Sequence, residues 1–266
     1  MKQIGNSVGM GGYNAQEDVA LVQSLLVKRG YQIGEVDGRF GTLTKTAIIT
    51  FQSGFMPDPD GRIDPGGMTW RSLSIEPGNA SLLPAGGSLT RLVQAPVKSA
   101  INGGLTAVNN KYMIAKLGEP RSDYSTDCQP LTNVKLKRHI VTASVGPFRV
   151  SGLKPAVLSL QVVFGEIYRA QPEVYAKLGT AGMLCCRYTR DSTTSISNHS
   201  WGTALDLTID NVLDKRGDGR VQYGLTLIAP IFNQFGWYWG ATFATEDGMH
   251  FEASRALVDA WADQLI

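Results

Sequence analysis

The chain has 266 residues, of which 43% are hydrophobic and 18% charged, and its formal net charge is +2. That length accommodates one large domain or two domains with separate cores. Near-neutral charge offers no basic footprint for nucleic acid, and no apolar run approaches the roughly eighteen residues of a membrane span.

The three cysteines, two of them adjacent at Cys185 and Cys186, form neither a disulfide framework nor a metal-spaced pair. They point to synthesis in a reducing compartment. Met1 to Gly12 lacks the apolar stretch of a secretion signal, so export is expected to need outside help. Gly9-Met10-Gly11-Gly12 lacks the strand–glycine–helix context of a nucleotide site.

Asn14 with Glu17 makes a capping-box-like start. Val19, Val22, Leu25 and Leu26 then recur at helical spacing until Arg29-Gly30 stops the helix. The turn Asp37-Gly38-Arg39-Phe40-Gly41 precedes a second helix over Thr42 to Ser53, which presents Leu43, Ala47, Ile48 and Phe51. A related turn, Asp60-Gly61-Arg62-Ile63-Asp64, comes before a helical Met68 to Leu73. A compact three-helix module over residues 12–75 is expected.

The ordered series Gly30-Tyr31, Val36-Asp37-Gly38-Arg39-Phe40-Gly41, Phe51-Gln52, Asp60-Gly61 and Trp70 resembles the peptidoglycan-binding domain 1 family. That resemblance implies bacterial peptidoglycan as the module's partner.

Residues 76–110 read as a linker or connector, rich in Gly, Ser, Pro, Ala and Asn, with a short helix over Leu89 to Val97. The catalytic domain is expected over residues 111–266. It begins with a strand at His139 to Ser144 and a long helix at Pro155 to Ala170. Later come a helix at Leu225 to Phe235, the aromatic run Trp237-Tyr238-Trp239 and a closing helix from Ala253 to Leu265. Elements in this order predict an α+β domain with a small antiparallel sheet.

The chemistry lies in Ser197-Asn198-His199-Ser200-Trp201-Gly202-Thr203-Ala204-Leu205-Asp206 and in Asp247-Gly248-Met249-His250-Phe251-Glu252. Two of the chain's 3 histidines fall here. His139, the third, has no ligand-like companions. A catalytic zinc takes three protein ligands from His and Asp or Glu and keeps a position open; His199, Asp206 and His250 supply such a set. If Gly202 to Leu207 is a strand, alternation puts Gly202, Ala204 and Asp206 on one face. Met249 to Glu252 alternates likewise, so two neighbouring strands would aim both ligands into one cleft. Asp214 to Gly219 fails as a calcium loop, because Arg216 sits where an oxygen ligand is needed, and it reads as a turn.

Ser197 to Asp206 matches the S-x-H-x-x-G-x-A-x-D pattern and resembles the VanY/VanX-like zinc peptidases, which include the L-alanyl-D-glutamate endopeptidases of phages. The resemblance implies zinc on His199, Asp206 and His250, and a general base at Asp247, three residues before the last ligand. It also makes Arg187 the cation that steadies the oxyanion, with Arg190 its competitor. Ser197 supports the motif or the substrate rather than acting as a nucleophile, and Glu252 is open as a partner orienting a ligand histidine or as an ordinary strand residue. Asp247 and Met249 stand where peptidases of short D-Ala-D-Ala substrates carry Glu and Trp, which favours the endopeptidase branch.

The expectation is therefore a monomeric modular endolysin cutting the stem peptide, at L-Ala-D-Glu or at the D-Ala-diaminopimelate cross-link. It would accumulate in the host cytoplasm and act on the wall after release, with neither nucleic acid nor membrane insertion involved. A D,D-carboxypeptidase and a non-catalytic wall-binding or virion protein are the alternatives.

Overall fold

A computed structural model describes residues 3–29, 31–53, 59–74, 88–190 and 192–263. Gly30 and residue 75 of the expected module, residues 76–87 of the expected connector and Leu265 of the closing helix lie outside the described residues. The chain divides into two compact units, Met1–Leu82 and Leu83–Ile266.

The N-terminal unit comprises β1 (Val8–Gly9), α1 (Gln16–Lys28), α2 (Thr42–Ser53), β2 (Arg62–Ile63) and α3 (Met68–Ser74), with β1 antiparallel to β2. Val19, Val22, Leu25 and Leu26 of α1 pack with Ile48, Phe51 and Trp70 into one core. On α2 the buried face is Thr44, Ala47, Ile48 and Phe51, at i, i+3, i+4 and i+7. Leu43 was expected on that face, but it falls one position off the stripe and is 58% exposed.

The capping box at Asn14 does not form. The N-cap of α1 is Ala15, without a side-chain cap bond. Asn14 instead takes a left-handed φ of 56°, which Asn tolerates better than most residues. Its carboxamide accepts from Gly9 N at 2.7 Å and donates to the carbonyls of Gly9 and Gly12, both at 3.0 Å, closing the glycine-rich turn. Gly9 itself is required, because a Cβ there would lie 2.1 Å from the Gly61 carbonyl oxygen.

The two related turns are built on one plan. Gln23 Oε1 accepts from Gly38 N at 2.8 Å while its Nε2 faces Asp37 Oδ1, the Arg39 carbonyl and Thr44 Oγ1. Gln52 Oε1 accepts from Gly61 N at 2.7 Å while its Nε2 faces Asp60 Oδ1, the Arg62 carbonyl and Thr69 Oγ1. Both glutamines are buried, and each ties one helix to one Asp-Gly-Arg turn and to a threonine of the next helix. A buried amide is tolerated when its hydrogen-bonding capacity is filled.

The C-terminal unit contains, in order, β3 (Leu92–Gln94), α4 (Asn110–Leu117), α5 (Val134–Lys137), β4 (Ile140–Ser144), β5 (Arg149–Leu153), α6 (Lys154–Ala170), α7 (Pro172–Tyr175), β6 (Leu178–Gly182), β7 (Ala204–Ile209), β8 (Val212–Leu213), β9 (Arg220–Gln222), α8 (Tyr223–Gln234), β10 (Trp237–Trp239), β11 (His250–Ala253) and α9 (Arg255–Ala262). The fold is α+β. Its main sheet runs β10-β11-β7-β6, with β8 also on β7, and all these pairs are antiparallel. Phe232 of α8 stacks on Phe251 of β11 at 4.0 Å and meets Phe164 of α6 edge-on, so both helices close one core. Trp237 and Trp239 are buried in that core rather than presented to a ligand.

Three expectations change here. Leu89 to Val97 holds no helix; Leu92–Gln94 is a strand paired with Arg220–Gln222. The unit also starts earlier than residue 111, because Asn102 is buried and donates to the Trp239 carbonyl and Thr242 Oγ1 while accepting from Trp239 N. Local composition is silent about a strand partner more than a hundred residues away. Cys128 and Cys185, expected to be unpaired, form a disulfide with a Cα–Cα distance of 5.1 Å. A bridge between Gln129 and Cys186 brings these two segments side by side, which no spacing rule anticipates. Cys186 remains a buried free thiol.

Candidate metal centre

The site is assembled by strand register. Asp206 on β7 and His250 on β11 are direct cross-strand partners, and Glu252 lies opposite Ala204. On its other side Asp206 faces Gly182, where β6 carries an irregularity, so its cross-strand neighbour there has no side chain. His199 arrives from a 3-10 turn over Asn198–Trp201. Gly202, expected at the start of the strand, instead ends that turn with a φ of 65°. A Cβ at Gly202 would lie 2.8 Å from the Gly152 Cα. The glycine between the two ligand positions therefore serves both a left-handed backbone and a close approach to β5.

Ligand atoms of His199, Asp206 and His250 lie within 4.8 Å of one another. His199 Nε2 and His250 Nδ1 are 3.2 Å apart, and they lie 3.2 Å and 3.0 Å from Asp206 Oδ1. The outer ring nitrogens decide what these atoms carry. His199 Nδ1 is 2.7 Å from the Met183 carbonyl, which only accepts, so Nδ1 holds the proton. His250 Nε2 is 3.1 Å from Glu252 Oε2, again an acceptor. In neutral rings two lone pairs and a carboxylate oxygen then face one point with no hydrogen between them, and this arrangement calls for a positive charge.

The electrostatics agree. Burial alone would lower His250, but Asp206 and Glu252 outweigh it and push the ring up to about 10. Burial alone would raise Asp206, but His199 and His250 hold it well below the usual carboxylate range. A metal ion competes with that proton for the same lone pairs. The donor set of two imidazoles and one carboxylate suits zinc.

These groups open into a cleft of about 320 Å³ whose lining includes Asp247, Arg187, Arg190 and Arg216. Asp247 sits in a turn that donates its N–H to the Gly240 carbonyl and accepts from His250 N. Its Oδ1 is buried with no hydrogen-bond partner among the described residues, and its Oδ2 is 3.5 Å from Arg216 Nε. Burial raises its carboxyl above the ordinary range. Arg187 lines the cleft while donating to the Tyr188 carbonyl at 3.0 Å. Ser197 holds the motif by its backbone, with its N–H on the Arg187 carbonyl. His139 is absent from the cleft lining.

Three contributors escaped sequence reasoning. The Met183 carbonyl is main chain and carries no sequence signal. Arg216 sits in the Asp214 to Gly219 turn and meets Asp247 only through the fold. Asn198 donates from Nδ2 to Glu252 Oε2 at 2.7 Å; its position beside His199 was the available hint.

Residues 190–253 match the family model described as D-alanyl-D-alanine carboxypeptidase, of the M15 peptidases, and residues 15–71 match the putative peptidoglycan binding domain. The chain is also 28% identical over 185 residues to the type VI secretion system spike protein VgrG3 of Vibrio cholerae serotype O1. That alignment covers 61% of this chain and 17% of the Vibrio protein. No solved structure matches the chain.

Proposed function

We propose that this chain, in which a peptidoglycan-binding module precedes an M15-type peptidase module, is a zinc endopeptidase that cleaves an amide bond in the peptidoglycan stem peptide. The observation that carries the reading is the convergence of two imidazole lone pairs and the Asp206 carboxylate on one point beside a buried Asp247 oxygen that has no hydrogen-bond partner among the described residues. Bound zinc supplies Lewis acidity and brings the pKa of a water ligand to about 7.

The chain's own residues do the rest. His199, Asp206 and His250 hold the metal. Asp247 accepts a proton from the attacking water and returns it to the leaving amine, with burial keeping the carboxylate a stronger base than an exposed one. Arg187 faces the cleft as the cation for the developing oxyanion. The favoured bonds are L-Ala-D-Glu and the D-Ala-diaminopimelate cross-link. A structural zinc site is normally closed by four protein ligands; the three-residue set here argues against a purely structural role.

The description of the matched peptidase model favours a second reading, removal of terminal D-Ala. The likeness to a secretion-system spike protein likewise offers delivery by secretion as an alternative to release at host lysis. Digestion of purified peptidoglycan by the zinc-loaded protein, followed by mass spectrometry, tests the reading. Internal stem-peptide cleavage that stops with a chelator is expected. Release of D-Ala alone would select the carboxypeptidase, and an intact wall and stem peptide would overturn both.

A further inference from the structure

Glu252 is 3% exposed, and its ion partner is His250. A buried carboxylate is costly unless it is paired and hydrogen-bonded. Its Oε2 sits 3.1 Å from His250 Nε2 and accepts from Asn198 Nδ2 at 2.7 Å. Asn198 belongs to the turn that delivers His199, whereas Glu252 and His250 share β11. The contact therefore ties together the two elements that bring the histidines to one point, across a separation of 54 residues.

We propose that Asn198 and Glu252 form a positioning pair for the metal centre, holding the His250 proton on Nε2 and aiming Nδ1 at the ion. The proposal rests on the metal-site reading above. With both histidines neutral, a divalent ion and Asp206 leave one uncompensated positive charge, and Glu252 answers it through the His250 ring. His199 is served differently, by the Met183 carbonyl at 2.7 Å. One ligand histidine is thus oriented by a neutral main-chain acceptor and the other by a charged side chain, so only the second can be edited by mutation without touching a ligand. Carboxylate partners of this kind orient ligand imidazoles and raise their basicity.

Zinc affinity of the full chain, measured by competition with a chromogenic chelator, is the test, with His250→Ala as the control. Glu252→Ala is expected to weaken zinc binding by roughly 10- to 100-fold. Glu252→Gln keeps an acceptor for both hydrogen bonds and should stay within about 10-fold of the parent, with Asn198→Ala weaker than the parent. Nitrogen-15 NMR of the parent should show the His250 proton on Nε2. A role confined to packing would lower the melting temperature of the Ala and Gln variants alike and leave zinc affinity unmoved. If Glu252→Ala does not fold, Asn198→Ala decides, and parental zinc affinity there overturns the pair. If His250→Ala itself retains parental affinity, the metal site has been misread. If His250→Ala loses zinc while folded Glu252→Ala keeps it, only the positioning pair falls.

Discussion

Each unit buries polar side chains, and it does so to opposite ends. In the N-terminal unit Gln23 and Gln52 are enclosed, and each gives its carboxamide to one turn and one neighbouring helix. In the C-terminal unit His199, Asp206 and His250 converge as acceptors, and Asp214, Glu246 and Asp247 each keep a buried oxygen without a hydrogen-bond partner among the described residues. Polar burial that the chain satisfies by itself makes architecture. Polar burial that it leaves unsatisfied stores binding capacity, because such groups gain most from an incoming cation or proton.

Removing a ligand would break the comparison most severely. His199→Ala, Asp206→Ala and His250→Ala are each expected to lose bound zinc and nearly all wall-degrading activity, as read by metal analysis alongside turbidity loss of cell walls. Stoichiometric zinc with lysis intact in all three would sink the proposed centre. Asp247→Asn separates proton transfer from metal binding. Zinc should stay bound while turnover of a stem peptide falls by roughly 100-fold or more. Parental turnover in this variant, with an inactive Glu246→Gln, would move the base by one residue.

The next effect concerns where the catalytic unit begins. A fragment starting at residue 88 should fold and cleave soluble stem peptides. One starting near Gly104 loses the β3–β9 pairing and the Asn102 hydrogen bonds, and it should melt lower in circular dichroism. Equal melting temperatures would return residues 88–103 to the role of connector.

Gln52→Ala tests the self-satisfied class. Deleting its carboxamide strands Gly61 N and the Arg62 carbonyl, at about 1–3 kcal/mol for each buried group left unpaired. Denaturant unfolding should show the N-terminal transition weakened while soluble-peptide turnover is unchanged.

Asp214 tests the unsatisfied class without touching a ligand. Burial, reinforced by nearby Glu246, Asp218 and Asp247 against a hydrogen bond from Gln222 N, pushes it up to about 6. An acid raised in the folded state holds its proton more tightly there than when unfolded. Its contribution to stability is therefore greatest at low pH and declines as pH climbs from its unfolded value of roughly 3.9 to about 6. Asp214→Asn should match the parent near the lower limit and exceed it above the upper one. Urea titrations across that range would expose a pH-independent difference, which would remove Asp214 from the class.

Much of this was legible in residue order. Apolar residues at helical spacing announced α1 and α2, because a helix buries one face through a local period, and the helical stretches expected at Pro155 to Ala170 and Leu225 to Phe235 fall on α6 and α8. The two histidine blocks announced a candidate ligand set, since few side chains bind metal and these stand close together in short motifs, and the fold brings His199, Asp206 and His250 together. Tertiary structure alone decided the pairing of Asp206 with His250 across β7 and β11, the bridge that unites Cys128 with Cys185, and the inclusion of β3 in the C-terminal unit. It also decided that Asn14 closes a glycine turn instead of capping α1, and that the Glu252 carboxylate meets the His250 ring. The division has one physical cause. Periodicity and motif chemistry act within a few residues of chain, whereas register, cross-strand partners and the identity of a hydrogen-bond acceptor depend on segments that meet only once the hydrophobic faces have packed.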